Sequence, residues 1–214
     1  MNTPDENTAP AIDPRLSAEP NKDGADAAVA AARRVIAALL LTGDGSGVDM
    51  DAIADRLDEV ADRLTEKAPT VEERLSRMWR AEGINRHDPV TGPENGLAPP
   101  LSLQGKDDGS IEGVVTLGLP YQGPPGHVHG GISALLLDHT LGVANHWGGT
   151  SGMTAELTLR YLRPTPLFEP LTVTGRQVSV DGSRIRTVGE ISVSGRACVT
   201  AEGLFINKHL PRPS

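Results

Sequence analysis

GHVHGGISALLLDHTLGVANHW, residues 126–147, is the stretch that decides how this chain folds. Gly130 and Gly131 stand where a polar loop gives way to a run carrying Ile132, Leu135, Leu136, Leu137, Leu141 and Val143, apolar nearly all round a helix. A helix of that kind must be buried on most of its circumference. Its first turn presents backbone N–H groups without intrahelical partners and a partial positive charge, and glycine lets a ligand approach the backbone closely. A carbonyl oxygen gaining negative charge would be stabilised there. Two turns on, Asp138 interrupts the apolar run. Burying a carboxylate without partners is costly, so Asp138 either makes a structural hydrogen bond or faces a functional cavity. Taken alone, the glycine pair fits equally well a junction where two backbones pack closely.

Working outward, Met153, Ala155, Leu157, Leu159 and Tyr161 alternate with the residues between them, the period of a strand. Residues 171–180 and 183–193 flank Asp181-Gly182, a dipeptide suited to a type I′ hairpin, and Ser194-Gly195 leads into a further strand over 197–206. Upstream of the helix, Ile111, Gly113, Val115, Leu117 and Leu119 alternate in the same way. One long central helix wrapped by a strongly bent antiparallel sheet is the economical arrangement for this order of elements, which makes residues 83–214 an α+β domain.

The residues before it have another character. Residues 1–22 mix Pro, Asp, Glu, Asn and Thr with few large apolar groups and predict a disordered tail. Residues 23–82 predict a helical accessory segment. Val29, Ala32, Ile36 and Leu39 recur at helical spacing up to the turn 42–47, and Ile53, Leu57, Val60, Ala61 and Leu64 form the stripe of a second helix that packs on the first. Thr70 and Glu73 read as a capping box opening a third, with Val71, Leu75, Met78 and Trp79 on its apolar face. The boundary near Gly83 is marked by the loss of helical period and a rise in Pro and Gly.

Composition excludes several functions. The longest apolar run, residues 35–41, is far short of the roughly 20 residues that a bilayer span requires, and the N-terminus is acidic and polar, so neither a signal peptide nor a membrane span is expected. Cys198 is the single cysteine, which leaves no intramolecular disulfide, suits the cytoplasm and rules out a multi-cysteine zinc site. A net charge of −8 argues against nucleic acid as a partner. His127 and His129 would share one side of an extended chain, with His139 and His146 in reserve, but no acidic or cysteine ligand supports them, and neither a metal nor another cofactor is expected.

His129, Gly130, Gly131 and Asp138 together resemble the His-Gly-Gly and Asp signature of the hotdog-fold acyl-CoA thioesterases, in the phenylacetic-acid-degradation type branch of the thioesterase superfamily. Residues 153–166 are similar to the strand in that family which ends in a polar Arg-Pro-x-Pro turn, with Thr154 where its members place a Ser or Thr near the acid. The resemblance covers residues 85–207. It implies a hotdog fold, hydrolysis of a coenzyme A thioester to free acid and CoA, and a place in lipid metabolism. It further implies that Gly130 or Gly131 N–H polarises the carbonyl and that Asp138 activates water or attacks the carbon directly. Thr154 would orient that water or Asp138, and His129 would donate to the substrate or brace the loop. Gln122 and Gly123 stand near the position where some members carry an Asn or Gln.

Eight residues separate Gly130 from Asp138, about 12 Å along one helix. No single thioester carbon lies within reach of both, so if both act on one carbon the two must come from different subunits. A homodimer, or a dimer of dimers, with composite sites is expected, as in the antiparallel dimer of that family. Arg160 and Arg163 at a strand end are candidates for coenzyme A phosphates, against the plainer reading of solvated charge. Two other functions remain open on sequence: an acyl-CoA binding protein whose helical segment blocks the cleft, and a hotdog enoyl-CoA hydratase or dehydratase. The amphipathic helices themselves need a partner surface, which the acyl channel or the dimer would supply.

Overall fold

The computed structural model describes residues 13–43, 45–80, 85–99 and 101–207. In chain order the elements are helices α1 (Gly24–Thr42), α2 (Met50–Thr65) and α3 (Val71–Arg80), strands β1 (Ser102–Gly105) and β2 (Ser110–Thr116), helix α4 (Gly130–Trp147), and strands β3 (Met153–Tyr161), β4 (Pro170–Asp181), β5 (Arg184–Val193) and β6 (Arg196–Ile206). The six strands form one sheet in the order β1-β2-β4-β5-β6-β3, and every neighbouring pair is antiparallel. Helix α4 lies across it, as expected of an α+β hotdog domain. Leu136, Leu137, Leu141 and Ala144 are fully buried on the sheet side, against Ile111, Leu171, Val173, Ile185, Ile191 and Phe205.

The close seating of α4 depends on small residues in the strands beneath it. Gly175 pairs with Gly189 across β4 and β5, and Gly189 with Ala201 across β5 and β6, so the three form a trough across the sheet. A Cβ on Gly189 would stand 2.5 Å from the Thr174 carbonyl oxygen and 2.8 Å from Leu141 Cδ2. At the helix end, Trp147 donates from Nε1 to the Lys106 carbonyl at 3.2 Å, with its indole against Gly105, where a Cβ would lie 2.4 Å from the ring.

Four local features depart from expectation. Strand β1 has no counterpart in the sequence pattern, because four residues beside a Pro- and Gly-rich stretch carry too little period. Leu119 does not continue the alternation of β2; it opens a 3-10 turn, Leu119–Tyr121, started by Pro120. The type I′ turn lies at Ser194-Gly195, where both residues have positive φ, 49° and 75°. In the hairpin expected to use it, Asp181 pairs with Arg184 and only Gly182 of the two central residues has positive φ, the pattern of a type II′ turn. Finally, residues 13–22, expected within a disordered tail, include a strap along β1. Leu16 N–H donates to Leu103 O (2.9 Å), Gly105 N–H to Pro14 O (2.7 Å), and Leu103 N–H to the buried Ser17 hydroxyl (3.0 Å). Edge-strand backbone groups gain partners that composition alone does not reveal. The rest of that tail, residues 1–12, and the expected boundary near residue 83 lie outside the described residues.

The capping box holds as drawn, with Thr70 N–H donating to Glu73 Oε2 (3.0 Å) and Glu73 N–H to Thr70 Oγ1 (3.2 Å). Helix α2, expected to pack on α1, only borders it across a shallow groove lined by Val35, Leu39, Ile53 and Leu57; Leu39, Ile53, Leu57, Val60 and Leu64 all remain exposed, and no residue of α2 is buried. Helix α1 is anchored to the loop that precedes β1. Asp26, 4% exposed, accepts from Asn21 N–H (2.6 Å) and pairs with Arg86, whose Nε donates to Glu94 (2.8 Å). Arg33 donates to the carbonyls of Gly92, Pro93 and Asn95 at 2.6–3.3 Å. The Asn21 amide, together with Arg86 and Arg33, outweighs burial and holds the Asp26 carboxyl below its ordinary pKa.

Replacing Gly189 with Ala will destabilise the domain by about 2 kcal/mol, because the added methyl meets backbone that cannot yield; urea unfolding followed by fluorescence measures it. For Asp26, a depressed folded-state pKa means stabilisation that is complete above the unfolded value near 4 and lost as pH falls through the folded one. Asp26→Asn will therefore lower the melting temperature at pH 7, and the gap from wild type will narrow as pH drops below about 4.

Candidate active site

The two features singled out on α4 occupy different turns and have different partners. At the N-terminus His129 is the N-cap, with extended backbone (φ −64°, ψ 136°), and its Nδ1 accepts from Gly131 N–H at 3.0 Å. Nδ1 must be unprotonated to do so, which puts the proton of the neutral ring on Nε2. The exposed ring thus carries a free Nε2–H donor. His129 N–H donates to Tyr121 O (2.9 Å), and Gln122 Oε1 closes the preceding turn by accepting from Gly126 N–H (3.0 Å). Gly131 N–H is occupied by the cap, whereas Gly130 N–H donates to no partner among the described residues. The Gly130 carbonyl accepts from Tyr161 Oη at 2.9 Å, which fixes the plane of the peptide joining the two glycines.

Two turns along, half-buried Asp138 accepts from Thr154 Oγ1 at 2.9 Å. Thr154 sits beside an irregularity of β3: its partner on β6 is Phe205, yet Leu204 pairs with Glu156, so Ala155 bulges out. Bulges re-aim side chains, and this one accompanies the turn of Thr154 toward α4. Asp138 and Thr154 open onto a cleft of about 1110 Å³ that runs along α4 to Trp147. Its far wall is the strap, with Arg15 and Leu16, and the loop carrying Asp88 and Thr91.

His139 faces that wall. Its Nδ1 lies 3.3 Å from Asp88 Oδ2 and its Nε2 3.5 Å from Thr91 Oγ1. Asp88 Oδ1 also accepts from Val90 N–H (2.7 Å) and Thr91 N–H (3.1 Å). Burial pushes the Asp88 carboxyl upward, but His139 and the two amides outweigh it and the group lies below its ordinary pKa. Neither Asp88 nor a pairing for His139 is legible in the sequence, because residues 86–100 carry only a rise in Pro and Gly, and Tyr161 shows there only as a strand residue. His127 Nδ1 donates to Pro125 O (3.0 Å), apart from the His129 cap. Among the described residues no three His, Cys, Asp or Glu side chains converge to hold a metal ion. Arg160 is exposed on β3, and Arg163 donates to Ala197 O at 2.5 Å; neither lines the cleft.

Gly130 and Asp138 thus share one uninterrupted helix, about 12 Å apart along its axis. Strand β3 runs beside it, with Thr154 at the acid and Tyr161 at the glycine. Its residues are exposed except Leu157 and Leu159, which are half-buried, and its single neighbour in the sheet is β6.

Comparison with known proteins matches two parts of the chain. Residues 16–73 match the N-terminal helical domain of hypothetical protein RHA1_ro05818, and residues 125–199 match the thioesterase superfamily. The crystal structure of a thioesterase superfamily protein is 58% identical, covering 91% of this chain and 96% of its own, with a TM-score of 0.83. Acyl-coenzyme A thioesterase THEM4 of Mus musculus is 37% identical over 98 residues, 45% of this chain and 42% of its own length. The Bos taurus protein of that name is 31% identical over 142 residues, 63% and 54% respectively. The chain spans about half, or less, of these curated relatives.

Proposed function

Because this chain belongs to the thioesterase superfamily, we propose that it hydrolyses acyl-coenzyme A thioesters at sites assembled between two copies of itself. The observation that carries the reading is Asp138, held by Thr154 in the lining of a cleft, on the same helix whose N-terminus leaves the Gly130 N–H without a partner among the described residues. The thioester carbonyl oxygen accepts from Gly130 N–H of one copy, with the helix dipole and His129 Nε2–H adding positive potential. Asp138 of the other copy takes a proton from water as the water oxygen attacks the carbonyl carbon. When the tetrahedral intermediate collapses, the C–S bond breaks and coenzyme A leaves as a thiolate. A thiol pKa near 8.5 makes that departure undemanding, and the proton on Asp138 is returned to it or to solvent. In the alternative route Asp138 attacks directly and water hydrolyses the resulting mixed anhydride. Arg160 and Arg163 would meet the coenzyme A phosphates, with Arg163 first releasing the Ala197 carbonyl.

Strand β3 supports the homodimer. An exposed edge strand with one neighbour invites a second strand. Antiparallel pairing of β3 with its own copy lays the Thr154 end of one strand against the Tyr161 end of the other. Each Asp138 is thereby carried toward the partner's Gly130, which supplies the pairing that one helix cannot. Two such dimers back to back would give a dimer of dimers. Among the described residues no helix is long and apolar enough to cross a membrane; we place the protein in the cytoplasm on its single, buried cysteine.

Thiol release from a panel of acyl-CoAs will fall about a hundredfold to ten-thousandfold in Asp138→Asn, with circular dichroism and dimeric mass unchanged. A dimeric wild type that releases no thiol from any acyl-CoA would refute hydrolysis. The composite site makes a second demand. Gly130→Pro removes the N–H at the first helical position, where proline is tolerated. Mixing that variant with Asp138→Asn, each inactive alone, will restore about a quarter of wild-type activity through randomly formed mixed dimers; sites built within one copy would stay silent.

A further inference from the structure

One helical position beyond Asp138, the cleft holds a polar pair that thioester hydrolysis by Asp138 does not use. His139 is fixed through Nδ1 by Asp88, which is itself held by the Val90 and Thr91 amides. In the neutral ring, an Nδ1 proton directed at the carboxylate leaves a lone pair on Nε2. It faces the Thr91 hydroxyl at 3.5 Å, the outer edge of hydrogen-bonding distance, so neither group is fully satisfied by the other. Both line the cleft beside Asp138, and both are largely withdrawn from water, the His139 side chain being 19% exposed and Thr91 7%.

A hydrocarbon laid against these groups would strip their remaining water and return no hydrogen bond, which is costly. A hydroxyl does the reverse: its proton goes to His139 Nε2, and its oxygen accepts from Thr91 Oγ1. Asp138, His139 and Thr91 line the same cleft, so an acyl group attacked at Asp138 extends past the imidazole and the hydroxyl. Building on the thioesterase reading, we infer that this protein selects acyl groups carrying a hydroxyl within the first few carbons beyond the thioester, with His139 and Thr91 as specificity-determining residues. Asp88 is a positioning residue that acts through His139.

The test compares kcat/KM for butyryl-CoA with that for its 2-, 3- and 4-hydroxy derivatives in wild type, His139→Leu and Thr91→Val. Dissociation constants of the matching non-hydrolysable thioether analogues are measured alongside. In wild type at least one hydroxy isomer will exceed butyryl-CoA by about tenfold or more, because a site built to hydrogen-bond a hydroxyl penalises the analogue lacking it. Both variants will bring that ratio close to parity. Thr91→Val keeps the side-chain shape, so it decides the matter if His139→Leu fails to fold. No preference for any isomer in wild type, or a preference that both variants retain, overturns the inference. If no substrate releases thiol, hydrolysis is refuted, and the ratio of thioether affinities alone then decides whether His139 and Thr91 read a hydroxyl.

Discussion

The seating of α4 in the trough made by Gly175, Gly189 and Ala201 is the contact on which the rest of the molecule depends. A helix carrying Leu136, Leu137, Leu141 and Ala144 at zero exposure contributes most of its stabilisation through that burial, and it approaches closely only because the strands beneath lack side chains there. Close seating also fixes α4 in rotation and translation. Whatever stands on its outer side is thereby aimed: the His129 cap and Gly130 at one end, Asp138 and His139 in the middle, Trp147 at the other.

Strand β3 converts that placement into a site. It gains nothing from a second neighbour within the chain, yet it is tied to α4 twice, by Thr154 to Asp138 and by Tyr161 to the Gly130 carbonyl. The bulge at Ala155 lets one strand keep both ties while remaining paired to β6. Rigid spacing of about 12 Å between the donor end and the acid is what makes a second copy a chemical requirement in the proposed mechanism, beyond any need to cover an edge.

The helical segment reaches the same region by electrostatics. Asp26 and Arg33 of α1 hold the loop 86–95 through Arg86 and three backbone carbonyls, and the same loop supplies Asp88 and Thr91 to the cleft wall. Buried charges without partners would be strongly unfavourable, so these residues leave the loop few alternative positions. The N-terminal segment is therefore joined to the candidate site through an ordered path, and the strap over residues 13–17 completes the wall from the other side.

Period and punctuation determined much of this from the sequence alone. The apolar run from Ile132 to Val143 demanded a buried helix, the alternation of β2 to β6 demanded a sheet around it, and an acid inside the run marked Asp138, because these depend on local side-chain chemistry repeated at a fixed spacing. The His-Gly-Gly junction was legible for the same reason. Only the tertiary structure decided which backbone groups remain available. His129 takes the Gly131 N–H, Tyr161 takes the Gly130 carbonyl, and the Gly130 N–H is left without a partner among the described residues, all through contacts of one particular geometry. It alone brought Asp88, 51 positions earlier in the chain, to His139, and the polar strap to β1. Such pairings join residues distant in sequence, whose own neighbours carry no pattern that announces the partner, so they exist only once the chain has closed on itself.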